Sequence, residues 1–127
     1  MCNPPILYVE DDLISRLANC AVLRESGFMV IEAHSATEAA AVVERHRALA
    51  ALVTDIDLGP GPDGFEVARW ARRVNPAIPV IYISATDFQR FACEGVADAR
   101  FIAKPFDSWR IVHALGATAP AGPAPIR

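Results

Sequence analysis

Five short runs rich in Val, Ile, Phe and Tyr alternate with helical stretches along this chain, and no other feature restricts its fold so tightly. The runs are ILYV (6–9), FMVIE (28–32), ALVT (51–54), VIYIS (80–84) and RFIA (100–103), each of strand length. Residues 13–26 mix polar and apolar side chains at helical spacing and stop at Gly27, which suits a C′ position. SATEAAAVVERHR (35–47) opens with Ser35 and Glu38 at capping-box spacing and continues through alanines. GFEVARWARRVN (64–75) ends before Pro76, with Val67, Ala71 and Val74 in one stripe and arginines opposite. Residues 87–95 make at most a short, weakly periodic helix. The last helix spans about 107–116, with Asp107 or Ser108 as N-cap.

Strand, helix and strand repeated at this spacing require right-handed crossovers, hence a parallel sheet with helices on both faces. The first, third and fourth runs are almost continuously apolar and suit central strands. Glu32 and Arg100 place the second and fifth at the edges. The expected fold class is therefore α/β: a three-layer α/β/α sandwich around a five-stranded parallel sheet of order 2-1-3-4-5. A chain of 127 residues makes one domain, and residues 117–127 read as a Pro/Ala/Gly-rich tail.

A hydrophobic fraction of 53% against 21% charged residues points to a compact globule. A net charge of −3 leaves no basic footprint for nucleic acid or anionic lipid. No apolar run approaches membrane-spanning length, and the N-terminus lacks a signal-peptide pattern, so the expected location is the cytoplasm. Cys2, Cys20 and Cys93 are far apart, which suggests neither a disulfide framework nor a zinc site.

In a parallel α/β sheet, ligands bind beyond the C-terminal ends of the strands. Here the first strand is followed by Glu10, Asp11 and Asp12, and the third ends in Asp55 with Asp57 two residues on. The fourth ends in Ser84, and the fifth is followed by Lys104, the single lysine beside eleven arginines. Acids, a hydroxyl and the lone lysine thus gather at one rim. Two carboxylates about 4 Å apart repel by roughly 4 kcal/mol at an effective dielectric of about 20. One lysine cannot neutralise the group, so the rim needs a further cation, and oxygen donors with room for water suit Mg²⁺. An aspartate ending an apolar strand also presents a nucleophile to phosphorus once its charge is screened.

These residues resemble the receiver domain of bacterial two-component response regulators. The resemblance covers about residues 4–116 and rests on the ED pair, the aspartate of TDIDL, the DG of PDGFEVA, the serine of ISA and KPF. It implies a flavodoxin-like, CheY-like fold. It also implies that Asp55 accepts a phosphoryl group from a histidine kinase or histidine phosphotransfer protein, and that contacts with a downstream protein partner then switch. By the same resemblance Asp11, the Asp55 carboxylate and the Asp57 backbone carbonyl hold Mg²⁺, with Mn²⁺ an alternative, and Glu10 acts through water. Lys104 pairs with the phosphoryl oxygens, Ser84 hydrogen-bonds them, and Phe101 occupies the position of the aromatic switch residue. Lys104–Pro105 is expected to be cis. The expected protein is a signalling phosphoacceptor rather than an enzyme, and a monomer or weak homodimer.

Two features depart from the family pattern. DLGPGPDG has one residue more than the common spacing and carries Pro60 and Pro62, and the segment between Ser84 and Phe101 is about two residues short. The second points to a stunted or irregular fourth helix. Other polar residues have simpler readings. Asp12 and Asp63 suit helix caps or turns. Thr86, later than Ser84, also suits a cap. His34, His46 and His113 are scattered without ligand spacing, and core packing rivals a switch role for Phe101. The functional rivals are a haloacid dehalogenase-like phosphatase, with Asp55 as nucleophile and Asp57 as general acid, and a receiver-like binding module that is never phosphorylated. A flavin-binding protein shares the topology, but Glu10, Asp11 and Asp12 would repel the phosphate that its first loop must cradle.

Overall fold

The structure, a computed structural model, describes residues 4–118. Cys2 and most of the expected tail lie outside the described residues; Ala117 and Thr118 close the last helix. The elements run β1 (Ile6–Val9), α1 (Leu13–Glu25), β2 (Val30–Ala33), α2 (Ala36–Arg45) and β3 (Ala51–Asp55). They continue with α3 (Gly64–Val74), β4 (Val80–Ser84), α4 (Phe88–Glu94), β5 (Arg100–Ala103) and α5 (Trp109–Thr118). All pairings are parallel and the order is β2-β1-β3-β4-β5, as the alternation requires. Strands β1, β3 and β4 are buried along their whole length, whereas β2 and β5 are partly exposed edges.

Alternate side chains of the central strands feed two cores, because successive Cβ atoms point to opposite faces. Leu7, Val9, Leu52, Val80 and Tyr82 pack with α2 and α3, against Val42, Phe65, Val67 and Ala71. Ile6, Tyr8, Val53, Ile81, Ile83 and Ile102 pack on the other face with Leu23, Ile111 and Leu115. Full burial of one such aliphatic or phenyl side chain stabilises the fold by about 1.5–3 kcal/mol. Because all five strands run parallel, their C-terminal ends meet at one rim.

Local signals act as the sequence implies, with some shifts. Asp12, Ser35 and Asp63 cap α1, α2 and α3, each accepting from the backbone N–H three residues on. Glu38 closes its box one residue early, accepting from the His34 N–H at 2.7 Å. β2 starts at Val30 rather than at residue 28, because Phe28 still serves the end of α1. Its N–H donates to the Leu23 carbonyl at 3.1 Å around Gly27, whose φ is 99°. α5 starts at Trp109 rather than 107: Asp107 stays in the turn before it and takes the Trp109 N–H at 2.9 Å. The Ser108 hydroxyl instead donates to Asn19 on α1. α4 has seven residues and buries none of them, in keeping with the shortened segment.

Candidate functional site

The ends of β1, β3, β4 and β5 set the site. Asp55 closes β3 at 5% exposure, and Glu10 directly follows β1 at 2%. Their burial follows from position: each continues a strand already covered on both faces. Asp11, one residue further, is exposed. Carboxylate oxygens from Glu10, Asp11 and Asp55 lie within 4.8 Å of one another, the one such acidic or His/Cys group among the described residues. Hard oxygen donors with one exposed member fit a divalent cation that keeps part of its water.

Lys104 reaches this cluster from the end of β5. Its Nζ stands 2.7 Å from Asp55 Oδ2 and 3.4 Å from Glu10 Oε1. The Lys104 N–H donates to the Ser84 carbonyl at 2.9 Å, which ties the loop after β5 to the end of β4. Lys104–Pro105 is cis. The other Asp55 oxygen, Oδ1, accepts from the Asp57 N–H at 3.2 Å. Asp57 itself is exposed, and its carboxylate accepts from Gly59 at 3.1 Å, within a turn where Gly59 and Gly61 have positive φ. Pro60 and Pro62 lie in this same segment.

Charge is unevenly balanced here. Burial pushes the Glu10 carboxyl from its ordinary 4.5 up to about 7, and the Asp55 carboxylate beside it adds to the rise. The Asp12 N–H and Lys104 act in the opposite direction without cancelling it. For Lys104, burial alone would lower the ammonium, but Asp55 and Glu10 outweigh it and the net shift is upward. The folded protein therefore keeps the Glu10 proton where the unfolded chain has lost it, so Glu10 favours folding less as pH climbs from 4.5 to about 7. In metal-free buffer the melting temperature of wild type relative to Glu10→Gln is expected to fall across that window. A constant difference on calorimetry would contradict this assignment of the proton.

Ser84, 3% exposed, ends β4 beside Asp55 but is engaged elsewhere. Its hydroxyl donates to Asp87 Oδ2 at 2.9 Å and accepts from the N–H groups of Thr86 and Asp87. Asp87, rather than Thr86, is the residue at the head of α4. Phe101 is half-buried on β5, its ring 5.4 Å from Phe88 and 5.3 Å from Phe91, both on α4. Core packing and contact with α4 thus coincide at this residue. Asp63 caps α3 and also takes Arg90 Nη2 at 2.9 Å, so it ties α3 to α4 instead of joining the acidic cluster. The three histidines are exposed. Cys93 is exposed, and burial pushes the Cys20 thiol up to about 12, which leaves it inert.

Sequence reading missed Asp87, Arg90, Phe88 and Phe91. Signals existed for two kinds of contact: Ser84 and Asp87 are three apart at a strand end, and Phe88 and Phe91 share a helix face.

The model of the response regulator receiver domain matches residues 6–116. The chain belongs to that family. Over 112 residues it is 32% identical to the C4-dicarboxylate transport transcriptional regulatory protein DctD of Rhizobium meliloti, covering 87% of this chain and 24% of that protein. It spans 24% and 30% of the length of the first curated relatives it matches. Among solved structures, a response regulator receiver protein of Sinorhizobium medicae is 33% identical with a TM-score of 0.87, over 91% of this receiver and 93% of that chain. The receiver domain of a sensor histidine kinase of Pseudomonas aeruginosa, with magnesium coordinated in its active site cleft, is 26% identical with a TM-score of 0.78, over 91% and 97%. No helix among the described residues of this receiver is long and apolar enough to cross a membrane.

Proposed function

We propose that this receiver takes a phosphoryl group on Asp55 from a histidine kinase or histidine phosphotransfer protein and switches its contacts with a downstream protein. The observation that carries the reading is the Lys104 ammonium, 2.7 Å from the buried Asp55 carboxylate within the acidic cluster. An Asp55 oxygen attacks the phosphorus of a phosphohistidine. The O–P bond forms as the P–N bond breaks, and the electron pair leaves on the imidazole nitrogen. Lys104, held by its backbone bond to Ser84, meets the charge that gathers on the phosphoryl oxygens. The Ser84 hydroxyl donates to one of those oxygens, and Phe101 passes the change to the aromatic face of α4.

Asp11, the Asp55 carboxylate and the Asp57 backbone carbonyl would hold Mg²⁺, with Glu10 acting through water, and Mn²⁺ would suit the same oxygen donors. When bound, the ion supplies positive charge to the phosphoryl oxygens. The Pseudomonas receiver with magnesium in its cleft supports this assignment. In this role the protein is a cytoplasmic signalling phosphoacceptor, not a turnover enzyme. The receiver itself acts as a monomer or weak homodimer and offers no basic surface for nucleic acid or membrane.

Labelling by acetyl phosphate tests the reading. Uptake is expected to require Mg²⁺ and to stop in a chelator. Asp11→Ala is expected to slow it roughly a hundredfold, about the cost of removing a group that binds charge in the transition state. Asp63→Ala, which removes only a helix cap and the Arg90 bridge, should leave the rate within about twofold. Equal effects of the two substitutions would sink the metal assignment.

A further inference from the structure

The Ser84 hydroxyl has one proton and two lone pairs, and all three are in use. Its proton goes to Asp87 Oδ2 at 2.9 Å, and its oxygen accepts from Thr86 at 3.2 Å and Asp87 at 3.1 Å. A carboxylate only accepts, so the direction of the first bond is fixed. Ser84 cannot donate to a phosphoryl oxygen without leaving Asp87.

Asp87 is also incompletely used. It stands at the N-cap of α4, yet its side chain makes no cap bond. The other acidic caps, Asp12 and Asp63, have extended backbones and each accept from the N–H three residues on, whereas Asp87 stands at φ −95° and ψ 30°. For Asp87 that donor would be Arg90. α4 meanwhile buries no residue fully; it is held by the Arg90–Asp63 pair, by Arg90 lying 5.0 Å over the Phe65 ring, by the contacts of Phe88 and Phe91 with Phe101, and by Phe91 against Tyr82 at 5.8 Å.

We propose that Asp87 is a competing acceptor for the Ser84 proton, so that phosphorylation exchanges one bond for another at the head of α4. Unphosphorylated, Asp87 holds Ser84 and leaves α4 uncapped. Once a phosphoryl oxygen accepts the Ser84 hydrogen bond, Asp87 is released, its backbone turns to the extended conformation of the other caps, and its carboxylate accepts from the Arg90 N–H, so α4 gains its cap. Asp87 is thus a positioning residue that sets how readily Ser84 engages the phosphoryl group. This rests on the phosphoacceptor reading of Asp55.

Asp87→Asn separates the two roles. An amide caps a helix about as well as a carboxylate, but it is a weaker acceptor for the serine proton. With Mg²⁺ present, this variant is expected to bind beryllofluoride roughly fivefold more tightly than wild type, read by fluorine NMR titration. In a Ser84→Ala background the same substitution should change nothing, since no hydroxyl remains to compete for. A second readout needs no variant: amide exchange at Arg90 in wild type should slow when beryllofluoride binds. Unchanged or weaker binding by Asp87→Asn, equal tightening in Ser84→Ala, or no slowing at Arg90 would each overturn the exchange. Failure of wild type to bind beryllofluoride at all would instead remove the phosphoacceptor reading beneath it.

Discussion

Gly64→Ala is expected to lower the melting temperature by roughly 12 °C, the cost of about 3 kcal/mol at about 4 °C per kcal/mol. A Cβ at this position would overlap the Asp55 carbonyl oxygen and stand 2.9 Å from the Ile56 Cα. Both are backbone atoms at the end of β3 and just beyond it, so neither can swing aside. The same close approach lets the Gly64 N–H donate to the Ile56 carbonyl at 2.8 Å, which seats α3 against the end of β3. Gly61→Ala is the control. It has a φ of 98° but nothing within 4 Å of an added Cβ, so it carries only backbone strain, about 1 kcal/mol or about 4 °C. Thermal melts followed by circular dichroism separate the two, and equal losses would show that the packing at Gly64 has been misjudged.

The architecture was largely written in the chain because its strongest signals are local. Unbroken apolar runs identified the buried strands, and Glu32 and Arg100 marked the edges, since a charge fits a half-exposed strand but not a central one. Caps such as Asp12, Ser35 and Asp63 act over three residues and could be read directly. The start of β2 could not, because the end of α1 and the start of the strand compete for Phe28. At the site, residue type and strand end brought Glu10, Asp11, Asp55 and Lys104 together on paper as in space. The hydrogen bonding of Ser84 was less visible. Its nearest acceptor, Asp87, lies in the shortened segment whose geometry the family pattern does not supply. Arg90 reaches Asp63 across 27 residues of sequence, a pairing that no local rule contains.

In the proposed mechanism Asp55 accepts the phosphoryl group while Asp57 contributes only its backbone. Asp55 is buried, bonded to Lys104 and grouped with Glu10 and Asp11. The Asp57 carboxylate is exposed and occupied by the Gly59 N–H of its own turn. A dehalogenase-like phosphatase would need that carboxyl to protonate a leaving group. Intact-mass measurement after exposure to acetyl phosphate and Mg²⁺ distinguishes the two directly. Wild type and Asp57→Asn are expected to gain one phosphoryl group, Asp55→Asn none, and wild type should not turn over ordinary phosphomonoesters. Uptake retained in Asp55→Asn, or rapid turnover by wild type that vanishes in Asp57→Asn, would contradict the account.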